Sequence, residues 1–375
     1  MKENMRIQWL RLLLLFLILA YVTFESSMHQ VLGGGKAPSA HALCPYGGLE
    51  SIFQLFATGS FISKIFAGTM ILFGITVILA LVFRRSFCGL ICPFGVIQEY
   101  SGKLGKKLFQ RKYILPVMVD QPLRYLKYVV LILTVAYAWK TAGLWMSPYD
   151  PWAAYNHLSA GLESVWSEYA VGLILLMISI LGSLLYDRFF CKYLCPMGAL
   201  YGILGKLSPF RVVRNESLCI DCRKCNRVCP VNIDVQHSSN VTTAECINCQ
   251  TCILSCPVSG ALENKEGKKS IKPIIVIILV MALFFGSILI FQAVGIYQVI
   301  PEQLKTGEVI GFDEVKGYMT INEAAQATNL NIKDFYYEFK ISNNVPPETK
   351  MKDISKLAPD YNFDKIKESF EEESK

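Results

Sequence analysis

Five apolar stretches of 17 to 24 residues constrain this chain more than any other feature: 7–24, 65–83, 123–139, 169–186 and 274–297. A helix needs roughly 20 apolar residues to cross a hydrocarbon core, so the pattern predicts a membrane α-helical protein with about five transmembrane helices. Of the 375 residues, 53% are hydrophobic and 18% charged, against about 25% charged in a soluble domain. That content excludes a chain disordered as a whole. Thirteen cysteines in 375 residues are too sparse for a secreted disulfide scaffold.

Lysine and arginine are distributed unevenly between the stretches. Segment 84–122 carries seven and 187–272 twelve, whereas 25–64 has two and 143–167 none. The positive-inside rule then places 84–122 and 187–272 in the cytoplasm and the tail beyond 300 outside, in a cell (inner, cytoplasmic) membrane protein. The net charge of +7 reads as topogenic and lipid-facing, with no nucleic-acid partner. Arg11, Arg124 and Lys127 stand near stretch ends, where they are expected to snorkel. The first stretch reads as a retained anchor: an Ala-x-Ala site at Ala40–Ala42 lies too far beyond the apolar run for signal cleavage. The expected domains are an anchor helix and outer loop (1–64), membrane helices (65–210), a cysteine-rich block (211–270), a fifth helix (271–300) and an outer tail (301–375).

The chain also matches itself. Arg85-Ser-Phe-Cys88-Gly-Leu-Ile-Cys92-Pro-Phe-Gly95 aligns with Arg188-Phe-Phe-Cys191-Lys-Tyr-Leu-Cys195-Pro-Met-Gly198, 103 residues on. The same offset maps Cys44-Pro45-Tyr46 onto Ser147-Pro148-Tyr149. Both copies run outside to inside, so a parallel repeat with its axis along the membrane normal is expected. Such a repeat would bring Cys88, Cys92, Cys191 and Cys195 together beneath the membrane as a further metal or redox site. The alternative is a tight turn with packed thiols.

Between the fourth and fifth stretches the chain reads Cys219-x2-Cys222-x2-Cys225-x3-Cys229-Pro, then Cys246-x2-Cys249-x2-Cys252-x3-Cys256-Pro. This is the bacterial two-cluster ferredoxin run, in which the fourth cysteine of each half serves the other cluster. Cys219, Cys222, Cys225 and Cys256 are therefore expected to hold one [4Fe–4S] cluster, and Cys246, Cys249, Cys252 and Cys229 a second, in an inserted α+β domain. Structural zinc also uses Cys-x2-Cys pairs, but would not ask for the repeated Cys-Pro.

The paired Cys-x3-Cys-Pro motifs at span ends, followed by this block, resemble the NapH/NosR-type membrane polyferredoxins over about residues 40–260. The resemblance implies electron transfer between the quinone/quinol pool and a partner redox protein, which could lie outside the cell membrane, as in a quinol dehydrogenase component. It equally admits a maturation or regulatory factor supplying electrons for assembly of a respiratory or reductive metalloenzyme. The flavin-binding domain of NosR-type members has no counterpart ahead of the first stretch, so no covalent flavin is expected.

None of the four histidines (His29, His41, His157, His237) falls mid-span, so no transmembrane haem is expected. Cys44 reads as a packed or lone thiol, Gly33 to Lys36 as a flexible linker, and Asp150-Pro151-Trp152 as an interfacial turn with an aromatic anchor. In the tail, Thr320-Ile-Asn-Glu323 is a capping box, with a second helix expected near Asn331–Phe339. This outer helical module suits docking of a partner or a stabilising cap.

Overall fold

The computed structural model describes residues 2–32, 37–39, 41–58, 65–141, 143–267, 269–300, 309–312, 315, 317, 319–358, 361–363, 366, 369 and 370. The glycine-rich stretch 33–36 lies outside them. The chain divides into two compact units, one of 1–30 with 38–299 and one of 31–37 with 300–375.

The first unit is mostly helical: α1 (Lys2–Leu32), α2 (Pro45–Thr58), α3 (Ala67–Phe83), α4 (Ser86–Leu90), α5 (Pro93–Phe109), α6 (Val117–Thr141), α7 (Pro151–His157), α8 (Leu162–Leu185), α9 (Phe189–Tyr193), α10 (Pro196–Leu204), α11 (Lys224–Val228), α12 (Thr251–Ser255) and α13 (Pro273–Ala293). Among the described residues, three helices are long and apolar enough to cross a membrane, within α1, α8 and α13, and α3 is a shorter apolar helix. Helix α6 covers the third apolar stretch but carries Asp120, Arg124 and Lys127 near its start.

Those charges do not snorkel. Lys127 Nζ lies 2.5 Å from Glu245, and Arg124 pairs with Asp120 at 2.7 Å. Arg11 is buried and paired with Glu99. Water is not the only partner for a charge at a span end, and here the fold supplies carboxylates instead. The segments read as outer loops also hold structure, because Cys44-Pro45 and Asp150-Pro151 place proline at the first helical position of α2 and α7, where its missing N–H costs nothing. Asp150 caps α7 by accepting from Trp152 N at 3.0 Å. Trp152 is buried against Phe94, ring centroids 6.1 Å apart, and is no interfacial anchor.

The cysteine-rich block adds a three-stranded antiparallel sheet in the order β1 (Phe210–Arg214), β2 (Leu262–Glu266), β3 (Lys269–Ile271). Val212, Val235, Val241, Ile253 and Leu262 form its small core. Phe210 packs edge-on to Phe83 at 5.5 Å, fastening β1 to the end of α3.

The second unit contains α14 (Ile321–Ala327), α15 (Ile332–Glu338) and α16 (Ile354–Leu357). The capping box forms as expected: Glu323 N donates to Thr320 Oγ1 at 3.1 Å and Thr320 N to Glu323 Oε2 at 2.9 Å. Ile321, Phe335, Phe339, Met351 and Ile354 make a core of its own.

Candidate iron–sulfur centres

Two short loops organise the cysteine-rich block in the same way. In each, the residue before and the residue after the second cysteine are left-handed: Asp221 and Arg223 in the first, Asn248 and Gln250 in the second. None is glycine, and such residues rarely hold positive φ without a reason. Alternating the backbone hand turns successive N–H groups to one side, as anion-binding loops do. Helices α11 and α12 then follow, placing Cys225 and Cys252 in their first turns.

The thiols group across the two loops. Burial raises the Cys252 thiol well above its ordinary value, and the neighbouring thiols of Cys249, Cys246 and Cys229 raise it further. Burial likewise raises Cys256, with Cys222 and Cys219 adding to the effect. Cys229 thus neighbours the second loop's cysteines, and Cys256 neighbours Cys222 and Cys219 of the first. A hollow is lined by Cys229, Cys246, Cys249 and Cys252 with Val231 and Ile247. Ile233 N donates to Cys229 Sγ at 3.4 Å, the kind of N–H···S contact that tunes a cluster. Four thiols, a dry lining and an inward N–H fit a cubane. Among the described residues no three His, Cys, Asp or Glu side chains close on one point as a single metal ion requires. The two sets differ in exposure. Cys229 and Cys249 are buried, whereas Cys222 is exposed beside Ile220, 64% exposed.

The four membrane-side cysteines also meet. Each Cys-x3-Cys-Pro motif makes a short helix (α4, α9), then restarts at the Cys-Pro to give α5 and α10. Burial raises the Cys195 thiol, with Cys191, Cys88 and Cys92 as further contributors. Gln98 Nε2 donates to Cys191 Sγ at 3.2 Å and Gly198 N to Cys195 Sγ at 3.3 Å. Cys44 joins this neighbourhood: burial raises it most, then Asp150, with Cys195 also contributing. It packs in one apolar cluster with Cys92 and Cys195.

Two buried arginines cross between the motifs. Arg188 Nη1 donates to Cys88 O at 2.6 Å, and Arg85 Nη2 to Cys191 O at 3.5 Å. Arg188 pairs with Glu99 at 2.7 Å and Arg85 with Glu245 at 3.5 Å. Burial alone would raise the Glu99 carboxyl, but Arg11, Arg188 and Lys103 hold it far below the usual carboxylate range. Among the described residues, six cations are buried on this side of the unit (Arg11, Arg84, Arg85, Lys127, Arg188, Lys192) against four carboxylates (Glu99, Asp120, Asp187, Glu245). Buried charge needs an opposite charge. The anionic cluster that four thiolates would carry supplies one.

One family model, described as a 4Fe-4S binding domain, matches at 65–112 and again at 170–215, over the two membrane motifs. A second, a 4Fe-4S dicluster domain, matches 211–257. An uncharacterised protein of Methanocaldococcus jannaschii is 30% identical over 199 residues, which cover 52% of this chain and 76% of that protein. The ferredoxin-type protein NapH of Haemophilus influenzae is 29% identical over 147 residues, 39% of this chain and 47% of its own length. The chain belongs to the NapH/NosR-type membrane polyferredoxins. YccM of Escherichia coli (strain K12) is 32% identical over 203 residues, 54% of this chain, and the match spans only 56% of YccM. No solved structure matches.

For a polyferredoxin of this type, the sequence pointed to the twelve cysteines but not to their supports. Gln98, Glu99, Arg85 and Arg188 are polar residues in otherwise apolar or basic surroundings. The recurrence of Arg and Gly around each Cys-x3-Cys-Pro was the available signal. Of the histidines, His41 Nε2 lies 3.0 Å from Ser147 Oγ, and His157 Nδ1 lies 2.8 Å from Ala153 O.

Proposed function

We propose that this polyferredoxin carries electrons between the quinone pool and a redox partner protein through three iron–sulfur centres. Two would be [4Fe–4S] clusters, on Cys219, Cys222, Cys225 and Cys256 and on Cys246, Cys249, Cys252 and Cys229. The third would be held by Cys88, Cys92, Cys191 and Cys195. The single observation that carries the reading is the hollow lined by Cys229, Cys246, Cys249 and Cys252, with an N–H donor on Cys229 Sγ.

Bound clusters supply one-electron chemistry at low reorganisation. The chain's own residues do the rest. Arg85 and Arg188 balance the charge of the membrane-side thiolates and tie the motifs together. Gln98 and the Gly198 N–H orient individual sulfurs. Phe94, Trp152, Leu176 and Phe190 exclude water beside Cys92 and Cys195. The exposed Cys222 loop offers a face at which a soluble partner can exchange electrons.

The doubled family-model match and the placement of α4 and α9 exactly one motif offset apart support a parallel duplication. Five spans, with α3 and α6 joining the three long apolar helices, agree with the loop charges and put the cysteine-rich block in the cytoplasm and the tail outside. The deciding experiment is anaerobic purification of the full chain with iron and sulfide counting, then EPR during quinol titration. About eight irons are expected in the block, with further iron lost selectively in Cys92→Ser and Cys195→Ser. Clusters that never respond to quinol would remove the quinone link.

A further inference from the structure

The two membrane motifs differ at the residue that follows their first cysteine. It is Gly89 in the first and Lys192 in the second, 103 positions on. Gly89 lies inside α4, where glycine costs up to about 1 kcal/mol relative to alanine. Its φ is not among the positive ones, so no turn demands it.

Close approach does. A Cβ on Gly89 would stand 2.2 Å from Ile247 O and 3.1 Å from both Cα and Cβ of Cys249. The first motif therefore lies directly on the ligand loop of the buried ferredoxin set. A seam of hydrogen bonds holds it there. Asn248 Nδ2 donates to Phe83 O at 2.9 Å, Arg85 Nη1 to Ala244 O at 3.2 Å, and Arg84 to the carbonyls of Val241 and Thr243. Lys192 is instead buried with its ammonium 5.0 Å from the Tyr193 ring centroid.

We propose that Gly89 is the contact through which the membrane-side thiols couple to the ferredoxin set of Cys229, Cys246, Cys249 and Cys252, making the first motif the electrical junction while the second only completes the thiol set. This rests on the reading that Cys88, Cys92, Cys191 and Cys195 hold a redox centre. The route from Cys88 runs along one peptide bond to Gly89 and crosses a single van der Waals gap to Cys249. One electron leaves one set as one enters the other, with no bond made or broken. Gly89 acts as a positioning residue: its missing side chain sets the width of the gap.

The test uses the full chain in detergent under anaerobic conditions, with iron content and EPR power saturation as readouts. Magnetic relaxation of the ferredoxin signals by the third centre reports their coupling independently of turnover. Gly89→Ala should keep its iron and lose the relaxation enhancement, while Lys192→Ala keeps both. Arg84→Gln loosens the same seam without crowding it and should weaken the coupling too, which decides the matter if Gly89→Ala does not fold. Unchanged coupling in Gly89→Ala, or in Arg84→Gln where only that folds, overturns the junction alone. Wild-type protein with ferredoxin iron only would overturn the third centre and the junction with it.

Discussion

Arg188 reaches out of its own Cys-x3-Cys-Pro motif to place Nη1 2.6 Å from the carbonyl oxygen of Cys88 in the other. Arg85 makes the reciprocal contact to Cys191 O. The glycine three residues after the second cysteine of each motif makes room for the visitor. A Cβ at Gly95 would lie 2.7 Å from Arg188 Nη1, and one at Gly198 2.6 Å from Arg85 Nη2. The clasp welds the motifs through their backbones.

Removing one arm should therefore be severe. Arg188→Gln leaves Glu99 buried with less counter-charge, and breaking a buried pair costs about 3–5 kcal/mol. Arg188→Lys should rescue little, since Arg188 reaches Cys88 O and Glu99 with two separate nitrogens of a rigid fork that a compact ammonium lacks. Thermal unfolding in detergent measures this, and a wild-type melting temperature in Arg188→Gln would contradict the clasp.

Single cysteine variants test the interleaving of the ferredoxin sets. Cys222→Ser should diminish one cluster's EPR signal and Cys249→Ser the other's, each with loss of about four irons. Cys256→Ser should resemble Cys222→Ser and not Cys249→Ser, although Cys256 is seven residues from Cys249 in sequence. Stoichiometric zinc in anaerobically prepared protein would defeat the assignment.

The two ferredoxin loops could be read from spacing alone because three closely spaced thiols constrain a loop whatever surrounds it. The four membrane-side cysteines were singled out by the self-match. Partners of the charged residues were not. Arg11 and Glu99 are 88 positions apart and Lys127 and Glu245 118, and a basic residue near a span end looks the same whether water or a carboxylate awaits it. Helices α2 and α7 were not foreseen: both are shorter than a span and sit in segments that their scarcity of lysine and arginine marked as outer loops.

Stability should depend on pH in a definite sense. Burial raises the Glu50 carboxyl to about 8, against the Met146 N–H that donates to it. Burial also raises Asp150 to about 6. A carboxyl with a raised folded-state value contributes its full stability below the unfolded value near 4.3 and loses it as pH rises through the folded value. Glu99 and Glu245, both held low, act oppositely and lose theirs in acid. The melting temperature should peak near pH 5 and decline towards pH 8. Glu50→Gln should flatten the upper part of that decline, by an amount on the order of a few kcal/mol. A variant that keeps the wild-type slope would show that Glu50 ionises freely in the fold.

Topology follows from the loop charges. A reporter inserted within 103–112 should read as cytoplasmic and one fused beyond Phe370 as external, given seven basic residues in 84–122 against two in 25–64. A cytoplasmic tail would remove one span, and α6 with its paired charges would be the first to doubt.

Deleting 309–375 should leave the iron in place. The second unit builds its core from its own residues, with Phe335 and Phe339 stacked at 4.3 Å and the Thr320–Glu323 box starting α14. All thirteen cysteines lie in the chain before residue 257, so no ligand goes with the deletion. The core holding the membrane motifs draws on Val276, Ile277, Val280 and Phe284 of α13, which the deletion spares. Iron counting and EPR of the truncated protein should match the full chain, whereas electron delivery to a partner that docks on the tail would fall. Loss of iron would instead make the tail part of the scaffold, and unchanged delivery to every acceptor tried would leave it a stabilising cap.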